Sequence, residues 1–241
     1  MTRMHSSLRN ASREHLSIVD EIFAYLAAKL INKFIWLRTR VIVAGSVAEY
    51  LSQLSKFGKL RIFSKRENLW KSILKDYNLE EEKNVYFEFG VAWGYLTSWW
   101  TQKLKADDLK WHGFDRFTGL PRKWETLPEG AFSANGATPQ ISDKRITWHV
   151  GDVEETIYKV KEISPTNFHR RVIFFDLDIY EPTKVAYENL KPFICEGDIL
   201  YFDEARMADE WKLITEQIIN DFSFKIIGIT FNCLAIEITS C

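Results

Sequence analysis

From Asn84 onward the chain alternates short apolar runs with helical stretches, and five of those runs end on a carboxylate. Val85–Phe89, Trp111–Phe114, Ile146–Val150, Val172–Phe175 and Ile199–Phe202 are four or five residues long and mostly apolar. Runs of that kind, with helices between them, predict parallel strands buried on both faces. Two more runs, Phe224–Ile229 and Cys233–Ile238, are joined too tightly for a crossover helix. They predict an antiparallel hairpin with Asn232 near its turn. The expected fold class is therefore α/β: a Rossmann-like, seven-stranded, mostly parallel sheet ending in an antiparallel hairpin. A plain dinucleotide fold more often ends on another parallel unit.

Ahead of that region, apolar residues at helical spacing from Val19 to Ile35 predict an amphipathic helix over Leu16 to Leu37. It either packs on its own domain, pairs with a second copy, or covers an active site. Gly45 is expected to stop the chain, and Ser46–Glu49 to form a capping box that opens a short helix ending at Gly58. Ser64 and Glu67 read as a second capping box, opening a helix with Leu69, Trp70, Ile73, Leu74 and Tyr77 on one face. The expected organisation is an N-terminal helical segment, 1–66, serving as lid or oligomer contact, and a cofactor-binding domain, 67–241.

Composition narrows the functional classes. Net charge is −1, so no global field favours nucleic acid or an anionic membrane. The three cysteines, Cys195, Cys233 and Cys241, have no metal-binding spacing, and a reduced, cytoplasmic setting is expected. No apolar run reaches the ~18 residues of a membrane span. Arg3, Arg9 and Arg13 without a following apolar core argue against a secretory signal.

In open α/β sheets ligands sit beyond the carboxyl ends of the strands. The first strand end is Glu88-Phe89-Gly90-Val91-Ala92-Trp93-Gly94, leading into a helical run from Tyr95 to Leu104. Gly90 lets backbone approach a ligand, and Gly94 lets helix and strand pack closely. Free N–H groups at that helix start favour a carboxylate, and Glu88 suits a cation. S-adenosylmethionine carries both groups on its amino-acid tail. A simple strand–helix turn also fits the pattern. A dinucleotide fits less well, because Glu88 stands where the first glycine of Gly-x-Gly-x-x-Gly belongs. The second strand presents Asp115, placed for ribose hydroxyls, and the third presents Asp152, placed for the adenine amino group. The fourth and fifth present Asp176, Asp178, Asp203 and Glu204. Each acid has an alternative as a helix cap, Asp178 for a helix beginning near Pro182. If these two strands are neighbours, Asp176 and Asp203 lie roughly 5 Å apart. Oxygen-only donors of that kind suit Mg²⁺. The histidines show neither ligand nor triad spacing, and His112 and His149 read as structural.

Gly113-Phe114-Asp115-Arg116-Phe117-Thr118-Gly119-Leu120-Pro121 with Trp124 resembles the macrocin O-methyltransferase family, whose members methylate sugar hydroxyls in macrolide and aminocoumarin pathways. The resemblance continues through Gly130–Ser133, Gly151-Asp152, Asp176-Leu177-Asp178-Ile179-Tyr180-Glu181 and Gly197-Asp198-Ile199 to Phe202-Asp203-Glu204, covering roughly residues 84–205. It implies S-adenosylmethionine as methyl donor and Mg²⁺ at the acceptor. It implies Asp176, Asp203 and Glu204 as metal ligands, Asp178 as general base, and Pro121 to Ser142 as a mobile closing loop. The family usually reads Asp-Asp where this chain has Asp203-Glu204, which makes Glu204 the least secure ligand. The function expected is Mg-dependent O-methylation of a sugar or other small natural-product or glycan hydroxyl, by a homo-oligomer. The alternatives are metal-independent methylation of nitrogen or carboxylate, and a catalytically silent S-adenosylmethionine-binding module.

Overall fold

The structure, a computed structural model, describes residues 18–32, 35–163 and 168–240. The chain divides into two compact units, one up to Gln53 and one from Leu54 onward. In the first, α1 spans Ile18–Asn32 and α2 runs Ile35–Ser55, past the unit boundary. Ile22, Phe23, Leu26 and Leu30 of α1 are exposed. Leu16 lies outside the described residues. The expected stop at Gly45 does not occur. An isolated glycine costs a helix only about 1 kcal/mol, and the apolar and helix-favouring residues around it carry α2 through. Ser46 correspondingly forms no capping box; its hydroxyl donates back to the Val43 carbonyl at 3.0 Å.

The second unit starts ahead of the sheet. Chain 61–63 lies along its edge, with Phe63 N–H donating to the Ile229 carbonyl and Ile229 N–H to that of Arg61. Helix α3, Arg66–Asp76, buries Leu69, Trp70, Ile73 and Leu74 as its pattern predicts. Its N-cap is Lys65 and no side chain caps it, so the Ser64–Glu67 box is absent. Ser64 Oγ instead accepts from Asn68, and Glu67 accepts from Tyr95 Oη at 2.8 Å. Ser64 thus meets a side chain of the first turn and Glu67 a neighbouring helix.

The sheet follows the order β3-β2-β1-β4-β5-β7-β6. Its strands are β1 Val85–Phe89, β2 Lys110–Asp115, β3 Ile146–Val150, β4 Arg171–Phe175, β5 Ile199–Phe202, β6 Ser223–Ile229 and β7 Leu234–Ser240. The first five are parallel, and β7 runs antiparallel to both β5 and β6. The expected topology is thus met, hairpin included. The crossover helices include α4 Tyr95–Thr101, α5 Val153–Thr156, α6 Lys159–Ile163, α7 Tyr180–Leu190 and α8 Ala208–Leu213. All residues of β1 and β5 are buried, because helices cover both faces. Tyr86, Trp111, Phe174 and Tyr201 line up across neighbouring strands and pack with Trp70 and Trp100 into one aromatic layer. That layer makes the central strands a rigid base, with loops at their carboxyl ends free to carry chemistry.

Candidate active site

The strand ends meet in a cavity of about 660 Å³ lined by Glu88, Gly90, Asp115, Asp152, Asp176, Asp178, Asp203 and Glu204. Eight of the nine sequence-predicted residues therefore converge. Gly94 does not line the cavity. At φ +77° it is the left-handed N-cap of α4, and a Cβ there would lie 2.7 Å from Pro139. It makes room for the 139–141 segment, not for helix against strand as expected. Gly90, at φ +90°, is needed for a different close approach: its Cβ would fall 1.8 Å from the Asp176 carbonyl oxygen. Backbone of the first and fourth strand ends meets at that point.

The glycine turn is organised by Asp115. One of its oxygens accepts from the Val91 and Ala92 amides, each at 2.7 Å, and the other accepts from Phe117 at 2.6 Å. Gly90 N–H donates to Phe114 and Gly94 N–H to Val91. The amides expected to face a ligand are thus mostly taken within the protein. Helix α4 ends at Thr101, short of the predicted Leu104. A carboxylate offers about four acceptor positions, so Asp115 keeps roughly one for a ribose hydroxyl. Its main task is to shape the turn.

Glu88 is fully buried inside β1. One oxygen accepts from Thr97 Oγ1 and from Trp111 Nε1; the other has no partner. Burial pushes its carboxyl up to about 8, against the pull of those two donors. An orphaned buried oxygen at a cavity wall fits an ammonium group. Asp152, at the other end, is half-exposed and lies 3.4 Å from Arg116 Nε. It holds the N-cap position of α5 without making a side-chain cap, which leaves its carboxylate to the cavity.

Around β4 and β5 the acids crowd. The register pairs Phe175 with Phe202, so Asp176 and Asp203 occupy the next step of the ladder. Burial first, then the charges of Asp203, Asp178 and Glu210, push the Asp176 carboxyl well above the usual range, while Arg66 opposes them. Asp178 sits at φ +63°, a left-handed conformation that aspartate tolerates better than most residues. Burial, then Glu204 and Asp203, raise its carboxyl to about 7. It caps no helix: α7 starts at Tyr180 with Ile179 as N-cap, ahead of the predicted Pro182. Glu204 is likewise raised to about 7 by burial and by Asp203.

Two residues of this cluster escaped sequence reading. Glu210, on α8, is fully buried; it accepts from the Glu204 amide at 3.0 Å, and its second oxygen has no partner. Arg66 donates to Asp203 at 2.9 Å. The Ala208-Asp209-Glu210-Trp211 setting of Glu210 reads as an ordinary helix start, and Arg66 lies ahead of the motif region. Neither carried a signal.

The metal-ligand set fares differently from the rest. Asp203 already accepts from Arg66 on one oxygen and from Tyr201 Oη, at 2.7 Å, on the other. Among the described residues no three or more His, Cys, Asp or Glu side chains are arranged to hold a metal ion. Asp176, Asp203 and Glu204 as placed do not fit Mg²⁺. His112 and His149 stack on one another with their ring nitrogens 3.0 Å apart, a structural pair as predicted.

The segment expected to close the site is tied down by its backbone, where Ala134 and Gly136 N–H donate to the Phe117 carbonyl, and by side chains. Trp124 Nε1 donates to Asp209 at 3.0 Å, and Arg122 pairs with Glu181. Phe132 of this segment meets Trp93 edge-on and shares the cavity wall with it.

No protein-family model matches the chain, and no curated protein matches it in sequence. Solved structures do. The calicheamicin methyltransferase CalS11 superposes with a TM-score of 0.54 at 20% identity, over 92% of this chain and 94% of that one. The O-methyltransferase NovP gives a TM-score of 0.51 at 17% identity, over 72% and 78%. These likenesses establish the fold as that of class I methyltransferases. No helix among the described residues is long and apolar enough to cross a membrane.

Proposed function

We propose that the protein is an S-adenosylmethionine-dependent O-methyltransferase acting on a hydroxyl of a sugar or another small natural-product or glycan acceptor. One observation carries this reading: a single cavity is lined by both Glu88, which keeps an unpartnered buried oxygen, and Asp178, so a cationic amino-acid tail and a proton acceptor can share one space. Nine Asp and Glu side chains and two arginines line it, a setting that suits a sulfonium and its ammonium better than a pyrophosphate. The likeness to CalS11 and NovP supports the same reading.

S-adenosylmethionine supplies an electrophilic methyl group when bound. The chain's own residues do the remaining work. Glu88 pairs with the ammonium, Asp152 stands where an adenine amino group needs an acceptor, and the Asp115-braced turn sets the depth of the tail. Asp178 takes the proton from the acceptor hydroxyl as the new C–O bond forms, a contribution of typically ~10²–10⁴-fold. A carboxyl held near 7 is matched to that task at neutral pH. Trp93 and Phe132 give the cavity an aromatic rim that a bound cofactor would cover. No step is routed through a divalent ion, since Asp203, one of the donors expected for it, is already paired with Arg66. The exposed stripe of α1 supports association with a second copy, and the cysteine usage supports a cytoplasmic setting.

Calorimetry with S-adenosylhomocysteine tests the reading: one site per chain is expected, and no heat from NAD. Asp178→Asn should keep that affinity within about twofold while losing ~10²-fold or more in methyl transfer to a panel of glycoside acceptors. Loss of both together would contradict the assignment of Asp178.

A further inference from the structure

We propose that Arg66 is the resident cation of the carboxylate cluster, its guanidinium filling the place a divalent ion would take, so that the site works without metal. This rests on the methyltransferase reading above. Three observations carry it. Arg66 Nη1 donates to Asp203 Oδ2 at 2.9 Å, and the opposite oxygen of Asp203 is held by Tyr201 Oη and, at 3.5 Å, by Cys233 Sγ. Asp203, only 7% exposed, therefore has a donor on each oxygen before any ion arrives. Next, the guanidinium is fixed by flat surfaces: it lies 5.3 Å from the Trp70 ring and 5.2 Å from the Tyr95 ring. Tyr95 is itself anchored to Glu67 of the same helix. Such a cation is pre-positioned, with little rotamer freedom left to lose. Finally, Arg66, Asp203 and Glu204 form the wall between the main cavity and a smaller one of about 250 Å³. A guanidinium has five N–H donors in a rigid fork. Arg66 lines the same cavity as Asp178, so an acceptor oxygen held there can meet the donors not used on Asp203.

The chemistry follows from that placement. The acceptor O–H bond breaks, its proton passes to Asp178, and the oxygen's electron pair attacks the methyl carbon as the C–S bond breaks. Negative charge grows on the oxygen in between, and an N–H of Arg66 opposes it. The guanidinium also keeps Asp176 and Asp203 from repelling one another, the other task a metal ion would perform.

Mn²⁺, followed by the loss of its free-ion electron paramagnetic resonance signal, probes the cluster directly. The wild-type chain should bind none at millimolar concentration. Arg66→Ala leaves buried carboxylates uncompensated, and should acquire one Mn²⁺ per chain at least ~10-fold more tightly than wild type. Arg66→Gln keeps the stem between the two rings and carries the same test if the alanine variant fails to fold. A stoichiometric Mn²⁺ site in the wild type overturns the proposal, and so does a folded variant that gains none. S-adenosylhomocysteine calorimetry on the wild type separates the two layers: no binding there removes the methyltransferase reading, whatever the Mn²⁺ result.

Discussion

Glu88 and Asp178 are both carboxyls raised by burial, and the consequences differ because their partners differ. Glu88 at about 8 is mostly protonated at pH 7, yet an ammonium needs the ionised form. Binding of S-adenosylhomocysteine should therefore release a proton, and affinity should rise from pH 6 to about 8. Calorimetry in buffers of different ionisation heat measures both effects. Glu88→Gln keeps the shape but loses the charge; the affinity should fall ~10–100-fold and the pH slope should vanish. Asp178 acts on the acceptor side. A base must be ionised to accept a proton, so kcat/KM should climb through about pH 7 and level off above it. In Asp178→Asn the residual rate should lack that inflection. Glu88 was legible from sequence because one charged residue inside an apolar run needs a reason. Its hydrogen bonds to Thr97 and Trp111 were not, since they join residues nine and twenty-three positions away.

Strands were read almost to the residue, because period and length fix a strand buried on both faces. Helix ends were read poorly. The two capping boxes and the Gly45 break are local signals worth about 1 kcal/mol each, and packing overrides them. The glycine turn shows why local reading names the right residue for the wrong reason. Gly90 and Gly94 were both singled out, yet the contacts that demand them come from Asp176 and Pro139, distant in sequence. This makes a prediction about the turn as a unit. Gly90→Ala must push a Cβ into the Asp176 carbonyl at a positive φ, so β1 and β4 have to separate at their ends. A loss of ~3 kcal/mol or more is expected, with S-adenosylhomocysteine binding abolished. Gly94→Ala meets only the side chains of Pro139 and Ile141, and should cost about 1–2 kcal/mol while retaining binding. Thermal melts of the two variants rank the positions. Equal losses would mean that φ alone, and not the approach of Asp176, decides both.

At the scale of the molecule, the sheet edge concentrates acids that fold in the face of their own repulsion. Glu88, Asp178 and Glu204 are all raised above their unfolded values, to about 8, 7 and 7. A carboxyl raised on folding stays protonated in the native state while the unfolded chain has already released its proton. Stability from these groups is then complete below about pH 4 and is lost as pH climbs to about 8. Asp76, Asp143 and Asp221 are lowered by their basic partners and work the other way, losing stability as pH falls through the acid range. The ligand-free chain should therefore be most stable near pH 5. Its melting temperature should drop by several degrees between pH 5.5 and 8.5, since Glu88 alone is worth a few kcal/mol on the order-of-magnitude scale of one proton. Saturating S-adenosylhomocysteine should flatten that slope, because an ammonium beside Glu88 stabilises the ionised form that the empty cavity disfavours. Glu88→Gln without ligand should flatten it too. A ligand-free melting curve that rises with pH over this range would place the buried acids in their ionised form from the outset, and S-adenosylhomocysteine would then bind without releasing a proton.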